Sequence, residues 1–272
     1  MAWDEVRVHT WEELLQELHS PEIVPMRSEE ANHSRSAYIF RGMSSAGWRL
    51  KTSLERLGSP PNAVERGSLR SFRKYAPPSA FLRDSTWETL AVAQHNGLPT
   101  RVLDWTVSPL IAAHFATCEK QWFHEDGVIW CLNTMTHRAT FLPRDFLDSL
   151  KQEQAWLHDV RILERKYPTI EDFDRTETTY GDLLLVIEPP SLDSRIANQF
   201  GILSVMNGAG KSHHDYLDQM SEKSTEVVTR IIIDKDAKPR IRDMLDQNNI
   251  TERMLFPGLP GLCDWLRRYY GP

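Results

Sequence analysis

The chain has 272 residues, of which 40% are hydrophobic and 26% charged, a composition typical of soluble globular proteins and unlike that of disordered chains. Its formal net charge of −6 argues against a broad nucleic-acid-binding surface, although a local basic groove could still hold a nucleotide. The amino terminus lacks the layout of a signal peptide, and no run approaches the roughly 18 apolar residues of a membrane span. We therefore expect a cytoplasmic protein that does not contact a membrane.

The first predicted elements are a helix and a strand. The segment "HTWEELLQELHS" has apolar residues at helical spacing, with Thr10 as its N-cap. The segment "AYIFRG" is a short strand that places Tyr38 and Phe40 on one face and Ile39 and Arg41 on the other, and we expect it to end at Gly42.

Helices flank the central part of the chain. The segment "AVERGSLRSFRKYAPP" carries a basic helical face that we interpret as solvated, made of Arg66, Arg70, Arg73 and Lys74. A second helix runs from about Trp87 to His95 and stops at Asn96-Gly97. The strand "TRVLDW" follows and leads into the helix "LIAAHFATCEKQWF", which Ser108 and Pro109 begin.

Later segments predict more buried strands, separated by polar or helical pieces. The strands are "GVIWCLNT", "DLLLVIEPP", "GILSVMN" and "EVVTRIIID", and the helices include "PRIRDMLDQNN" and the closing "GLPGLCDWLRRYY". Three isolated cysteines suggest neither a disulfide framework nor a zinc site. The histidine pair of "KSHHD" has no further ligand at metal spacing, so we interpret it as part of a solvated loop and expect no metal.

Arg41 is the first candidate binding residue. It ends a hydrophobic strand just before Gly42, so its guanidinium can project from a sheet edge, and the glycine would let a ligand approach the backbone. A guanidinium can donate two parallel hydrogen bonds to a pair of phosphate or carboxylate oxygens. The alternative is a structural salt bridge at the end of the strand.

The segment "TRVLDWT" contains two charged residues among apolar ones. Strand alternation puts Thr100, Asp104 and Thr106 on one face and Arg101 and Trp105 on the other. We expect the Asp104 face to line a cleft with Arg41, and we expect Arg101 to point into a structural network. A buried charge is costly unless it is paired, so each must find a partner elsewhere.

Further candidate residues lie in or near this strand. Trp105 could form a flat wall for a planar ring or belong to the core, and His95 could donate to a ligand or to a backbone carbonyl. The segment "DSRIANQFG" places Arg195, Asn198 and Gln199 on one helical face. That trio is either a network that holds a loop or the rim of a ligand site.

Together, "YIFRG", "AQHNGLPTRVLDWTVSPLIAAHFA", "RIANQFGILS" and "LFPGLPGLCDWL" resemble the FRG domain family, named for its Phe-Arg-Gly signature. The resemblance extends over roughly Tyr38 to Leu266. The chain differs at Asn96, where the family commonly has an aromatic residue, and at Leu203, where it often has phenylalanine. Neither difference removes a polar candidate.

A second, weaker resemblance is to ADP-ribosyltransferases, because an aromatic-Arg-Gly strand precedes a threonine-bearing strand that runs into an Ala-rich helix. It implies that Arg41 grips NAD and that Thr100 through Thr106 shape the nicotinamide pocket. The acidic role at the ribose is unassigned, since no Glu-x-Glu pair occurs, and the candidates are Gln199, Glu226 and Asp104. The cofactor-binding set that this resemblance implies is Arg41, Gly42, Gln94, His95, Thr100, Trp105, Thr106 and Arg195.

The resemblances imply an α+β fold, a single domain with a central mixed, largely antiparallel β core of the ADP-ribosyltransferase-like split-sheet type, flanked by helices. We expect residues 1–34 to form a helical extension and residues 35–272 the FRG domain. The implied function is an NAD-dependent ADP-ribosyltransferase-like effector that modifies a protein or nucleic acid acceptor, as a toxin or in anti-phage defence, with a cognate inhibitor or a defence-system partner. The alternative is a non-catalytic module that binds a phosphate-bearing nucleotide ligand or a partner protein.

Overall fold

The computed structural model describes residues 3–20, 36–190 and 194–271. Within these ranges eight strands form one sheet. They are β1 (Asp4–Val8), β2 (Tyr38–Met43), β3 (Val102–Thr106), β4 (Gly127–Asn133), β5 (His158–Asp159), β6 (Leu184–Glu188), β7 (Gly201–Met206) and β8 (Val228–Ile233).

Helices surround the sheet, and no helix in the described ranges is long and apolar enough to cross a membrane. The helices are α1 (Trp11–Leu18), α2 (Pro61–Tyr75), α3 (Thr86–His95), α4 (Pro109–Thr117), α5 (Thr134–Phe141), α6 (Arg144–Gln152), α7 (Val160–Lys166), α8 (Ile170–Asp174), α9 (Glu177–Tyr180), α10 (Ser194–Gln199), α11 (His213–Lys223), α12 (Lys238–Gln247), α13 (Glu252–Leu255) and α14 (Leu259–Tyr270).

The sheet is mixed and largely antiparallel, in the order β1-β8-β4-β2-β3-β7-β6-β5. Only the two edge pairs, β1 with β8 and β5 with β6, are parallel among the described strands. At the centre, β2 and β3 share one registered pair, Phe40 with Thr106. Two four-stranded halves therefore meet at a single residue pair, and the predicted α+β class with a mixed, largely antiparallel sheet is confirmed.

The helices pack on the sheet through three apolar clusters. One cluster joins Phe40 to α1, α4 and α12, and another joins Val102 and Leu203 to α3, α6 and α7. The third covers the opposite face of both halves, where Trp105 and Leu103 pack with α11. Because α4 and α3 belong to different clusters, the space between them lies above the junction of the two half-sheets.

Most predicted elements are confirmed, with differences at their ends. Thr10 caps α1 by accepting from the backbone N–H of Glu13 at 3.1 Å. β2 does not end at Gly42 but continues to Met43. α4 ends at Thr117, so the predicted extension of this helix through the following residues is wrong.

The amino-terminal residues belong to the same sheet as the rest of the chain. The segment "DEVRV", which was not predicted as a strand, forms β1 and pairs in parallel with β8. Trp11 and Leu14 of α1 pack in the apolar cluster of α12. The division at residues 34 and 35 lies within the range 21–35, outside the described residues, and stays a prediction.

Gly42 allows β2 and α4 to approach each other closely. A Cβ atom built on Gly42 would lie 1.8 Å from the carbonyl oxygen of Ala112 and 2.8 Å from the backbone nitrogen of Ala116. Both atoms are helix backbone, which cannot move away as a flexible side chain can. Gly42 is thus required by helix packing, while the expectation that it also admits a ligand stays a prediction.

We predict that Gly42→Ala lowers the free energy of unfolding by about 3 kcal/mol or more, because a methyl group would overlap the α4 backbone. The matched control is Gly67→Ala in the middle of α2, where an added Cβ meets nothing within 4 Å. This control should gain about 0.5–1 kcal/mol from helix propensity. Urea unfolding followed by circular dichroism measures both, and equal stability of Gly42→Ala and the wild type would contradict the packing argument.

Arg101 forms a buried ionic network at the start of β3. Its side chain is 5% exposed, and its Nε donates to the Glu65 carboxylate at 2.6 Å. The same carboxylate accepts from the Arg101 backbone N–H at 3.0 Å, while the two terminal nitrogens of the guanidinium donate to Asp174. Burial lowers the pKa of Arg101, but the carboxylates of Glu65 and Asp174 outweigh it and raise the pKa above its ordinary value. The predicted structural role of Arg101 is confirmed.

We predict that Arg101→Ala destabilises the fold by about 3–5 kcal/mol, because it leaves the Glu65 carboxylate buried without its cation. Arg240→Ala on the exposed surface of α12 is the control and should change stability by less than about 0.5 kcal/mol. Thermal melts of the two variants decide the question. A folded Arg101→Ala protein with an unchanged melting temperature would contradict a structural role.

Candidate functional site

A cavity of about 240 Å³ lies between α3 and α4, above the junction of β2 and β3. β2, β3 and β7 contribute to its wall on the sheet side, and α10 and the residue after α13 close the opposite side. Its polar lining residues are Arg41, Gln94, His95, Asp104, Thr106, Arg195 and Gln199.

Arg41 bridges the two half-sheets at this cavity. Beyond the pair of Phe40 with Thr106, the described strands β2 and β3 have no further registered pair. Instead Nη1 of Arg41 donates to the main-chain oxygen of Asp104 at 2.5 Å. A single side-chain hydrogen bond thus links the two strands beyond their one registered pair, and it places a positive charge at the cavity.

The Arg41 guanidinium has hydrogen-bonding capacity left over. Its Nε is buried and has no hydrogen-bond partner within the described ranges, where no carboxylate lies within 4.0 Å of the group either. Burial lowers the pKa of Arg41 below its ordinary value; the charge of Arg56 acts in the same direction, and that of Asp104 opposes both. Because guanidinium stays protonated in proteins, Arg41 is a permanent cation available to an anionic ligand.

The Asp104 carboxylate is held in place by a short hydrogen-bond chain. Its Oδ2 accepts from Nε2 of Gln94 at 2.7 Å, and Oε1 of Gln94 accepts from the Thr100 hydroxyl at 2.5 Å. Asp104 is exposed, whereas its neighbours in β3 are buried. Thr100 is fully buried and does not line the cavity; its role is to orient Gln94.

α10 is attached to its neighbours by the predicted polar trio. Nη1 of Arg195 donates to the carbonyl of His95 at 3.2 Å, and the amides of Asn198 and Gln199 donate to Met254 and Leu255 carbonyls at 2.7 Å and 3.0 Å. Arg195 and Gln199 also line the cavity. The structure thus shows the first alternative, a network that holds neighbouring segments in place. The second alternative, the rim of a ligand site, stays a prediction for Arg195 and Gln199, and Asn198 does not line the cavity.

Thr106 holds the opposite end of the same wall. Its hydroxyl donates to the carbonyl of Gln199 at 2.7 Å and accepts from the Ser108 backbone N–H at 3.0 Å. The side chain is 4% exposed, so its hydroxyl is committed to these two partners. Thr106 therefore holds α10 against β3, and its hydroxyl is not directed to a ligand in the cavity.

The apolar wall of the cavity is aromatic, and Trp105 borders the cavity while its indole belongs to the core. Trp105 is 3% exposed, packs in the core and donates its indole N–H to the Ser204 hydroxyl at 2.8 Å. Phe115 and Phe256 form the wall, with ring centroids 6.3 Å apart, and the Arg195 guanidinium lies 4.8 Å above the Phe256 ring. These two phenylalanines were missed, because the helical spacing of Phe115 indicates only a packed face and nothing local marks Phe256.

The structure brings most of the predicted site residues together. Nine of them line the cavity: Arg41, Gly42, Gln94, His95, Asp104, Trp105, Thr106, Arg195 and Gln199. Thr100 does not line the cavity, but its hydroxyl donates to Gln94, which does. Glu226 lies in an exposed turn before β8 and is not among the lining residues.

The histidine pair lies at the start of α11 and not in a solvated loop, so that interpretation is wrong. His213 is fully buried, and one ring nitrogen hydrogen-bonds to the carbonyl of Ser204 at 3.3 Å. Burial lowers the pKa of His213 to about 3, and the charge of Arg41 acts in the same direction. In the described part of the chain, no group of three or more His, Cys, Asp or Glu side chains is placed to hold a metal ion.

A larger groove of about 820 Å³ lies between α2, the start of α3 and α8. Its charges are largely paired with one another: Arg101 with Glu65 and Asp174, Arg73 with Asp84, and Arg66 with Glu171. Internal pairing leaves less charge for a ligand than the cavity at Arg41 offers. We therefore take the smaller cavity as the candidate site.

Residues 36–125 match the FRG domain family. The match supports the FRG family for this chain. It covers α2 and also β2, α3, β3 and α4, which form much of the cavity. The resemblance expected beyond residue 125 stays a prediction. No curated protein and no solved structure matches the chain.

The structure gives each residue of the FRG signature a separate task. Phe40 is fully buried against α4 and forms the single pair between the half-sheets. Arg41 bridges those halves and faces the cavity, and Gly42 makes room for α4. A permanent cation, a fixed carboxylate and an aromatic wall in one cavity suit a ligand with anionic and planar parts.

Proposed function

We propose that this cavity binds NAD and that the chain is an NAD-dependent ADP-ribosyltransferase acting on a protein or nucleic acid acceptor. The observation that carries the proposal is the convergence of Arg41 and Asp104 on one cavity with the Phe115 and Phe256 rings. The rings offer an apolar contact for nicotinamide, and Arg41 offers a cation for phosphate. The identity of the modified acceptor would show whether the protein acts as a toxin or in anti-phage defence. A cell extract can supply candidate acceptors.

The proposed reaction breaks the bond between C1′ of the ribose and the nicotinamide nitrogen. Both electrons of that bond leave with nicotinamide, which departs neutral, while positive charge develops on the ribose. A nucleophilic atom of the acceptor then bonds to C1′ and releases its proton to solvent. With water as the acceptor, the product is free ADP-ribose.

Asp104 is the residue best suited to the developing charge. Its carboxylate is already oriented by Gln94, so little reorganisation accompanies the reaction. Gln199 is neutral and its amide donates to the Leu255 carbonyl, so it can position a ribose but cannot neutralise a cation. Glu226 does not line the cavity.

A second candidate function is a non-catalytic module that binds a phosphate-bearing nucleotide. The observation in its favour is that Asp104 is the only carboxylate residue lining the cavity among the described residues, and one of its oxygens is engaged by Gln94. Such a module would bind NAD or ADP-ribose without turnover.

We predict that Asp104→Asn lowers nicotinamide release by about 100-fold or more, because it removes the charge that stabilises the transition state. NAD binding and the melting temperature should change little, since Asn is nearly isosteric. Release is measured with purified protein, NAD and cell extract, and binding by calorimetry. Asp243→Asn, on the exposed face of α12, is the control and should keep wild-type activity.

Two results would contradict the enzymatic proposal. Unchanged release by Asp104→Asn would remove Asp104 from the chemistry. Tight binding of NAD to the wild type with no release in any extract would favour the binding module.

A further inference from the structure

The candidate cavity continues into an outer groove. This groove, of about 650 Å³, is lined by Ser53, Arg56, Asn96, Gly97, Leu98, Ser194 and Pro257. It also shares Gln94, His95, Asp104 and Arg195 with the cavity. The two spaces therefore adjoin along one edge, with the Asp104 carboxylate between them.

The cavity alone is small for a dinucleotide. Pockets for small molecules typically measure about 300–1,000 Å³, and 240 Å³ lies below that range. A ligand anchored by Arg41 must then extend outward if it has two nucleotide halves. The outer groove is the space that adjoins the anchoring residues.

Arg56 gives the outer groove a cation. Its Nη1 donates to the carbonyl of Lys51 at 2.7 Å, which anchors the guanidinium, and no carboxylate within the described ranges lies within 4.0 Å of it. Its charge also acts on Arg41, whose pKa it helps to lower. Like charges repel, so an anion bound beside Arg41 and Arg56 would offset the effect of one positive charge on the other.

Among the residues that the structure describes, those lining the outer groove include no aromatic ring except that of His95, which lies at the boundary with the cavity. The nicotinamide ring therefore fits the inner cavity with its phenylalanines, and the charged, polar part of a ligand fits the outer groove. The nicotinamide half of a dinucleotide would therefore lie in the inner cavity and the other half in the outer groove.

We infer that Arg56 and the outer groove bind the adenosine half of a dinucleotide such as NAD, together with the phosphate attached to it. This inference rests on the proposed function. Arg41 contacts the phosphate nearer to nicotinamide, and Arg56 contacts the phosphate nearer to adenosine. The site should consequently prefer NAD and ADP-ribose to nicotinamide mononucleotide, which has only one phosphate.

The test is calorimetric titration of the wild type and Arg56→Gln with NAD, ADP-ribose and nicotinamide mononucleotide. We expect the variant to bind NAD and ADP-ribose at least tenfold more weakly, and to bind nicotinamide mononucleotide within twofold of the wild type. Arg56→Lys, which keeps the charge, should recover part of the loss. Arg240→Gln is the matched control, an exposed arginine outside both spaces, and should bind all three ligands normally.

The outcomes separate the inference from the function on which it rests. If Arg56→Gln binds NAD as tightly as the wild type, or loses all three ligands equally, the assignment of the groove is overturned while NAD binding stands. If the wild type binds none of the three ligands, the proposed function fails and the groove assignment fails with it. Equal wild-type affinity for NAD and nicotinamide mononucleotide also overturns the inference.

Discussion

The hydrogen bond from Arg41 to the main-chain oxygen of Asp104 is the contact on which the site depends. It lies where two four-stranded half-sheets meet at one residue pair, Phe40 with Thr106. Beyond this pair the strands diverge, and the divergence opens the cavity between α3 and α4. A charged side chain spans that gap because it can reach the opposite backbone while keeping other donors for a ligand. The opening of the sheet and the placement of the cation thus have a common cause.

The residues around this contact hold the fold together and also shape the cavity. Thr100 orients Gln94, which orients the Asp104 carboxylate. Thr106 fixes Gln199, and Gln199 holds the carbonyl of Leu255 just before the Phe256 ring. Asp104 and Gln199 are therefore each positioned by a polar group behind them. Such support is what a binding site needs in order to keep its donors and acceptors in place before a ligand arrives.

Local sequence patterns predicted those features of the structure that depend on interactions between residues close together in the chain. The cost of burying an unpaired charge correctly predicted a structural network for Arg101. Strand alternation was not the reason, because β3 begins only at Val102. The helix ends at Thr10 and His95 follow from capping and glycine stops. Arg41 and Asp104 could also be selected from the sequence, since each is a charged residue in a largely apolar strand.

Contacts between distant segments could not be predicted in this way. β1 pairs with β8 across more than two hundred residues, and its short polar sequence carries no sign of that partner. The packing of Gly42 against Ala112 requires knowing how α4 crosses β2. Phe256 lines the site because α13 is held by α10, and the Trp105 indole packs in the core because Ser204 offers its N–H a buried acceptor. These placements depend on tertiary structure, which periodicity does not encode.

The most direct measurement of the central claim is a nuclear magnetic resonance titration of the arginine side-chain N–H groups with ADP-ribose. The Arg41 Nε signal is assigned by its loss in Arg41→Lys, and that of an exposed arginine outside the cavity, Arg240, by its loss in Arg240→Lys. If Arg41 is the cation of the ligand site, its Nε–H gains an acceptor and its signal shifts in a saturable way, while that of Arg240 stays in place. A saturable titration in which the Arg41 signal does not move would contradict the account.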